Sequence, residues 1–213
     1  RALEVAGLFA AQGGGEFTLD AREQPCNAIR GLTVTLRLPV HKAVARLLEA
    51  AYPASMPVDA LIAGVARLVG QPPAAVDHAV MSMLEELLIL GALRFRRTPV
   101  PAAASVSGLP RALPAVRSAP GLAPAAGANA NACNQWHEPV VLTLLERSLL
   151  PLLDGTNSHD ALAEHLEAEV RSDRLRFVQN DKPLTDPSAV RAFARQQVAL
   201  ALDTLRRKAL LTS

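Results

Sequence analysis

The stretch PPAAVDHAVMSMLEELLILGALRFR, running from Pro72 to Arg96, decides how this chain is read. Val76, Val80, Met83, Leu84, Leu87 and Leu88 recur at helical spacing, which predicts a helix starting near Pro73. Gly91 sits just past the last periodic position, where a left-handed residue ends helices. Ala92-Leu93-Arg94-Phe95-Arg96 then alternates apolar and basic residues, the pattern of a half-exposed strand. A long helix, a glycine stop and a short strand together form the closing half of a winged helix.

The residues before this stretch supply the rest of such a unit. Val44, Leu47, Leu48 and Ala51 place a helix over Val40 to Ala51, and Leu61, Ile62, Val65, Leu68 and Val69 place another up to Gly70. Ser55 and Pro57 read as the cap and first turn of that second helix. Leu32 to Leu36 reads as a strand able to pair with the one after Gly91, and Glu4 to Ala11 as the end of a helix stopped by Gly13-Gly14-Gly15. Residues 37–98 are therefore expected to form a first winged-helix-like domain, preceded by a leading segment with a strand at 1–36.

Downstream, prolines and alanines crowd residues 99–134, and this segment is read as a linker. Leu109, Leu113, Val116 and Leu122 suggest that it packs on something. Residues 135–213 are read as a second winged-helix-like domain. Its expected elements are a Leu-rich helix from Pro139 to Leu153, a turn at Asp154-Gly155-Thr156, a helix through Leu162, Leu166 and Val170 capped by Thr156, Asn157 or Ser158, and a strand at Leu175 to Val178. A polar loop follows, then a last helix capped by Asp186-Pro187, and a terminal strand at Leu210-Leu211. The fold class expected is mainly α with small β wings, in tandem winged-helix-like domains.

Composition agrees with that class. Half of the 213 residues are apolar but only 3% are aromatic, so the core must be built from Leu, Ala and Val. The formal charge of +2 does not announce a nucleic-acid partner. The third helix of the first domain carries Asp77, Glu85 and Glu86 and no Lys or Arg between Pro73 and Gly91, a poor face for phosphates. Cys26 and Cys133 fit neither a metal spacing nor a disulfide framework and are read as reduced thiols of a cytoplasmic protein. Neither a signal peptide nor a membrane-spanning apolar run is visible.

The residue types that carry chemistry are present in ordinary arrangements. Gly13-Gly14-Gly15 lacks the flanking strand and helix of a nucleotide loop. His41, His78, His137, His159 and His165 make no ligand-spaced pair, and Cys133 with His137 is a weak couple with no third orienting group. Glu85-Glu86 and Glu164, Glu167 and Glu169 read as wet helix faces. Arg191 and Arg195, one turn apart on the last helix, are the candidate contact for phosphate or an acidic partner, whereas Arg206-Arg207-Lys208 suit the helix C-terminus. The expectation is thus no catalytic, cofactor-binding or metal residue in this chain, with Asp154, Gly155 and Thr156 as a structural turn.

One run carries a resemblance. Leu149-Leu150-Pro151-Leu152-Leu153-Asp154-Gly155-Thr156, then Ala161-Leu162, with Asn134, His137 and Val141 just before it, resembles the C-terminal domain of bacterial S-adenosylmethionine-dependent protein-lysine methyltransferases. Pro39 to Leu61 is similar to the end of the methyltransferase regulatory segment of the same family. The resemblance implies an upstream catalytic domain that binds S-adenosylmethionine, a protein substrate, and for this chain a substrate-recognition or regulatory role acting through contact surface. Arg1 in place of a methionine suggests a piece of that larger protein. The alternative is a free-standing tandem winged-helix transcription regulator that binds DNA.

Overall fold

The structure is a computed structural model that describes residues 3–118, 130–179 and 182–212. Two compact units divide between Ala104 and Ser105, and the fold is mainly helical with small antiparallel sheets.

The first unit contains β1 (Glu4–Ala6), β2 (Phe9–Ala11), β3 (Gln24–Ala28), β4 (Thr33–Leu36), α1 (Pro39–Ala51), β5 (Met56–Pro57), α2 (Val58–Val69), α3 (Pro73–Ile89) and β6 (Arg94–Arg96). The three helices form where the periodicity puts them. Val44 and Leu48 of α1, Leu61 and Val65 of α2, and Val76, Val80 and Leu87 of α3 are fully or almost fully buried in one core. Pro39 and Pro73 open α1 and α3, where a missing N–H costs nothing. The end of α3 is a Schellman motif: Ala92 N–H donates to Leu87 O at 2.8 Å and Gly91 N–H to Leu88 O at 3.0 Å, with Gly91 at φ +73°.

The strands of this unit depart from the sequence reading. Glu4 to Ala11 is two short strands instead of a helix end. β1 lies in the middle of a sheet of order β5-β1-β6, pairing Val5 with both Met56 and Phe95. The strand at Leu32–Leu36 pairs with β3 in a separate sheet of order β2-β3-β4, and β6 pairs with β1. Ser55 does not cap α2: its hydroxyl donates to Glu4 Oε2 at 2.8 Å and accepts from Val100 N–H at 2.9 Å. Residues 3–36 are therefore part of the unit, contributing Val5, Phe9, Phe17, Cys26 and Leu36 to its core. Lys42, with no exposed surface, donates to the backbone oxygen and carboxylate of Asp20 at 3.1 and 2.9 Å and ties the loop before β3 onto α1.

The second unit contains β7 (Arg111–Ala112), α4 (Pro114–Arg117), β8 (Ala130–Cys133), β9 (Pro139–Leu142), α5 (Leu144–Leu149), a 3-10 turn (Leu150–Leu152), α6 (His159–Arg171), β10 (Val178–Gln179), β11 (Lys182–Pro183), α7 (Pro187–Arg207) and β12 (Leu211–Thr212). Three corrections follow.

The segment read as a linker is built structure where it is described. Val100, Ala102 and Ala103 are buried, β7 pairs with β12, and β8 pairs with β9. Its alanines and prolines lack the side chains that announce strands, so the pairing partners far along the chain decide. Val116 is buried and Leu109 exposed, whereas Leu122 lies outside the described residues.

The helix expected over Pro139–Leu153 is strand β9 followed by the shorter α5. Thr143 and Glu146 form a reciprocal capping box that starts the helix at Leu144, five residues later than Pro139 suggests. Leu175 to Val178 is mostly irregular: Leu175 and Phe177 are buried, and only β10 and β11 form a hairpin, placed between α6 and α7. Ser158 and Asp186 cap α6 and α7 through their side-chain oxygens, accepting from Ala161 and Ala189 N–H.

Candidate functional site

The second unit holds the features worth weighing. Arg191 and Arg195 of α7 both turn toward α6. Arg191 Nε lies 3.3 Å from Glu167 Oε1 and Arg195 Nε 3.0 Å from Asp160 Oδ1. Both arginines keep more than half of their side chains exposed, yet each already has a carboxylate within its own unit. The expected partner contact is therefore engaged in joining two helices.

Asp154, Gly155 and Thr156 form a clamp. Thr156 donates its N–H and hydroxyl to Asp154 Oδ1 at 2.8 and 2.6 Å, and these bonds hold the Asp154 carboxyl below the usual range. Gly155 N–H donates to Pro110 O at 3.2 Å, and Ala112 N–H donates to Leu153 O at 2.7 Å. The turn thus pins the strand β7, which in turn pairs with β12. Gly155 has φ +89°, and a Cβ there would sit 2.8 Å from Arg111 Nε.

The β8–β9 loop is organised by Asn134. Its side-chain oxygen accepts from Trp136 and Glu138 N–H, both at 2.9 Å, and His137 adopts φ +58° within the turn. Asn134 and His137 are thus loop-forming, and Cys133 is exposed. Glu146, 2% exposed, takes Thr143 N–H at 2.7 Å and Lys208 Nζ at 2.6 and 2.7 Å. This buried ion pair joins the start of α5 to the end of α7. The sequence signal was there in the Thr143-x-x-Glu146 spacing, though a partner 62 residues away cannot be read from it.

Ser148 Oγ and His165 Nε2 lie 3.2 Å apart. The nearby carboxylate, Glu169, is committed to Arg174, which lowers its pKa. With that carboxylate held by an arginine, no third group among the described residues orients the imidazole as a nucleophile's base requires. In the first unit, burial pushes the Cys26 thiol up to about 11 and lowers the pKa of His41. Gly13-Gly14-Gly15 lies in the connection between the antiparallel strands β2 and β3, with open space around each glycine.

Among the described residues no three His, Cys, Asp or Glu side chains come together as a metal site, and no helix is long and apolar enough to cross a membrane.

One concavity stands out: a half-open groove of about 420 Å³ between the end of α6, the β10–β11 hairpin and the first turns of α7. Val170, Leu175, Phe177, Leu184 and Val190 supply its apolar wall, and Phe177 stacks edge-on against Phe193 at 5.0 Å. No periodicity marks it, because its walls come from three elements.

A mainly α architecture with two helical units and small β wings places this chain among winged-helix proteins. Residues 110–210 match the family model described as PKMT, C-terminal winged helix domain. Two solved structures share the fold: PKMT2 from Rickettsia typhi in complex with AdoHcy, at TM-score 0.82 and 16% identity, and PKMT2 from Rickettsia typhi, at TM-score 0.85 and 14% identity. The match covers 100% and 99% of this chain but 42% and 43% of those chains. A search of curated proteins finds no match. The chain thus resembles the C-terminal winged-helix region of the PKMT methyltransferases, as the Leu-Asp-Gly-Thr run implied, and spans about two fifths of the solved chains it matches.

Proposed function

We propose that this chain is the non-catalytic, substrate-recognition or regulatory C-terminal region of an S-adenosylmethionine-dependent protein-lysine methyltransferase. The observation that carries this reading is the family match over residues 110–210, in the unit that contains the Asp154-Gly155-Thr156 clamp. The fold likeness running through both units supports it. Cofactor binding and methyl transfer belong, on this reading, to a catalytic domain outside the stretch that this chain spans. This region would act on a protein substrate, in the cytoplasm, by surface contact.

The test compares the intact enzyme with a version lacking this region. Loss of methylation of a folded protein substrate by at least about tenfold in kcat/KM, with S-adenosylmethionine affinity retained, is the expected result. Unchanged protein methylation, or the absence of any cofactor site in the intact protein, would sink the reading. The DNA-binding alternative gains nothing from α3, which carries Asp77, Glu85 and Glu86 and no Lys or Arg along its length.

A further inference from the structure

The groove of the second unit has an electrostatic character that its apolar wall does not announce. Four charged side chains line it: Glu167, Arg171, Asp173 and Arg176. Glu167 is taken by Arg191. Asp173 and Arg176 face each other through two bonds of 2.8 Å, which hold the Asp173 carboxyl below its usual range. Arg171, exposed in the last turn of α6, is the lining cation left without a carboxylate among the described residues. Among the described residues the groove therefore presents one uncompensated positive charge at the lip of an apolar trough. Its volume falls within the usual range for ligand sites.

We propose that this groove docks an extended segment of the methyl-accepting protein, one that carries a large apolar side chain close to an aspartate or glutamate. The apolar side chain settles between Val170, Phe177, Leu184 and Val190, and the carboxylate meets Arg171. Charge complementarity selects this occupant. A wholly apolar segment leaves Arg171 unmatched, and a basic one sets like charge against it. A half-open trough between a helix end and a hairpin suits a crossing chain better than an enclosed small molecule. The assignment to the methyl-accepting protein rests on the function proposed above.

The experiment is selection of a random decapeptide phage library on the intact 213-residue chain, with Arg171→Glu as counter-selection. Arg171 is exposed and outside the core, and the buried Trp136 reports that the variant's unit still folds. Enrichment should favour peptides that place Leu, Phe or Ile near an acid. An enriched peptide should bind Arg171→Glu at least about tenfold more weakly, a difference of about 1.4 kcal/mol, and its Asp→Asn counterpart should lose binding likewise. No enrichment, enriched peptides without an acid, or undiminished binding to Arg171→Glu would each overturn the groove. The two readings fail separately. If deletion of the region abolishes protein methylation while the library yields nothing, the groove falls and the function stands. If peptides are selected through Arg171 but methylation survives the deletion, the assignment of a methyl-accepting occupant falls.

Discussion

Replacing Gly155 with alanine tests the clamp on which the second unit closes. Two separate costs are expected. The backbone is at φ +89°, a region that an L side chain enters only with strain of about 1–3 kcal/mol. The new Cβ would also lie 2.8 and 2.9 Å from Arg111 Nε and Nη2, forcing that guanidinium to move. Against these, alanine reduces the freedom of the unfolded chain, which returns about 0.4–1 kcal/mol. The net loss is about 1–2 kcal/mol, which lowers the melting midpoint of a unit of this size by about 5–15 °C. Trp136, the chain's single tryptophan, is buried in the same unit, so its fluorescence reports that unit's unfolding. A double-mutant cycle with Arg111→Ala separates the terms. Removing the guanidinium should return the contact part and leave the backbone strain, with a coupling of at least about 0.5 kcal/mol. An unaltered midpoint in Gly155→Ala would refute the strain argument, and zero coupling to Arg111 would refute the contact.

Lys208→Met should destabilise the second unit by about 3 kcal/mol, the low end for breaking a buried pair because Lys208 keeps 23% of its side chain exposed, whereas Glu146 keeps 3%. Adding Glu146→Gln should recover much of that loss in urea melts followed at Trp136, and failure of the double variant to recover would show that the charge pairing is not what matters. Of the two cysteines, Cys133 should react quickly with a thiol reagent at pH 8 while Cys26, buried with its thiol pushed up to about 11, should react only after unfolding; two fast thiols in the native chain would contradict the burial. The Lys42 ammonium beside Asp20 holds that carboxyl below its ordinary value, so its contribution is present above the unfolded pKa of about 3.9 and fades as pH falls through the lower folded value. Calorimetric stability of Asp20→Asn should therefore fall less steeply than the parent's below about pH 4, and parallel curves would argue against the pair.

What the sequence made legible follows from where the information sits. The helices of the first unit are amphipathic over three or more turns, and Val76, Val80, Met83, Leu84 and Leu87 declare α3 without help from any other segment. The strands β1, β2, β5 and β7 are two or three residues long, too short to show a period of two, and β1 is buried at every position. The existence of β1, β5 and β7 depends on partners about 50 to 100 residues away, such as Glu4 with Pro57 and Arg96, or Ala112 with Leu211. A reading confined to local pattern puts a helix end at Glu4–Ala11 and a linker at 99–134, because alanine and proline describe what a segment cannot do better than what it pairs with.

The candidate site divides along the same line. The Asp154-Gly155-Thr156 turn was readable because its bonds are local, closing within two residues. Arg191 and Arg195 were readable as a one-turn pair, but the acids that occupy them stand on α6, 24 and 35 positions earlier, and a wet-face reading of Glu167 gives no hint of the match. Those two ion pairs, although exposed and individually worth little, give Arg191 and Arg195 carboxylates within their own unit, and Arg171 is the lining cation of the groove without a carboxylate among the described residues. A charge in a sequence becomes a candidate for recognition only after the fold has assigned the others their partners, and here that subtraction moves attention from the length of α7 to the last turn of α6.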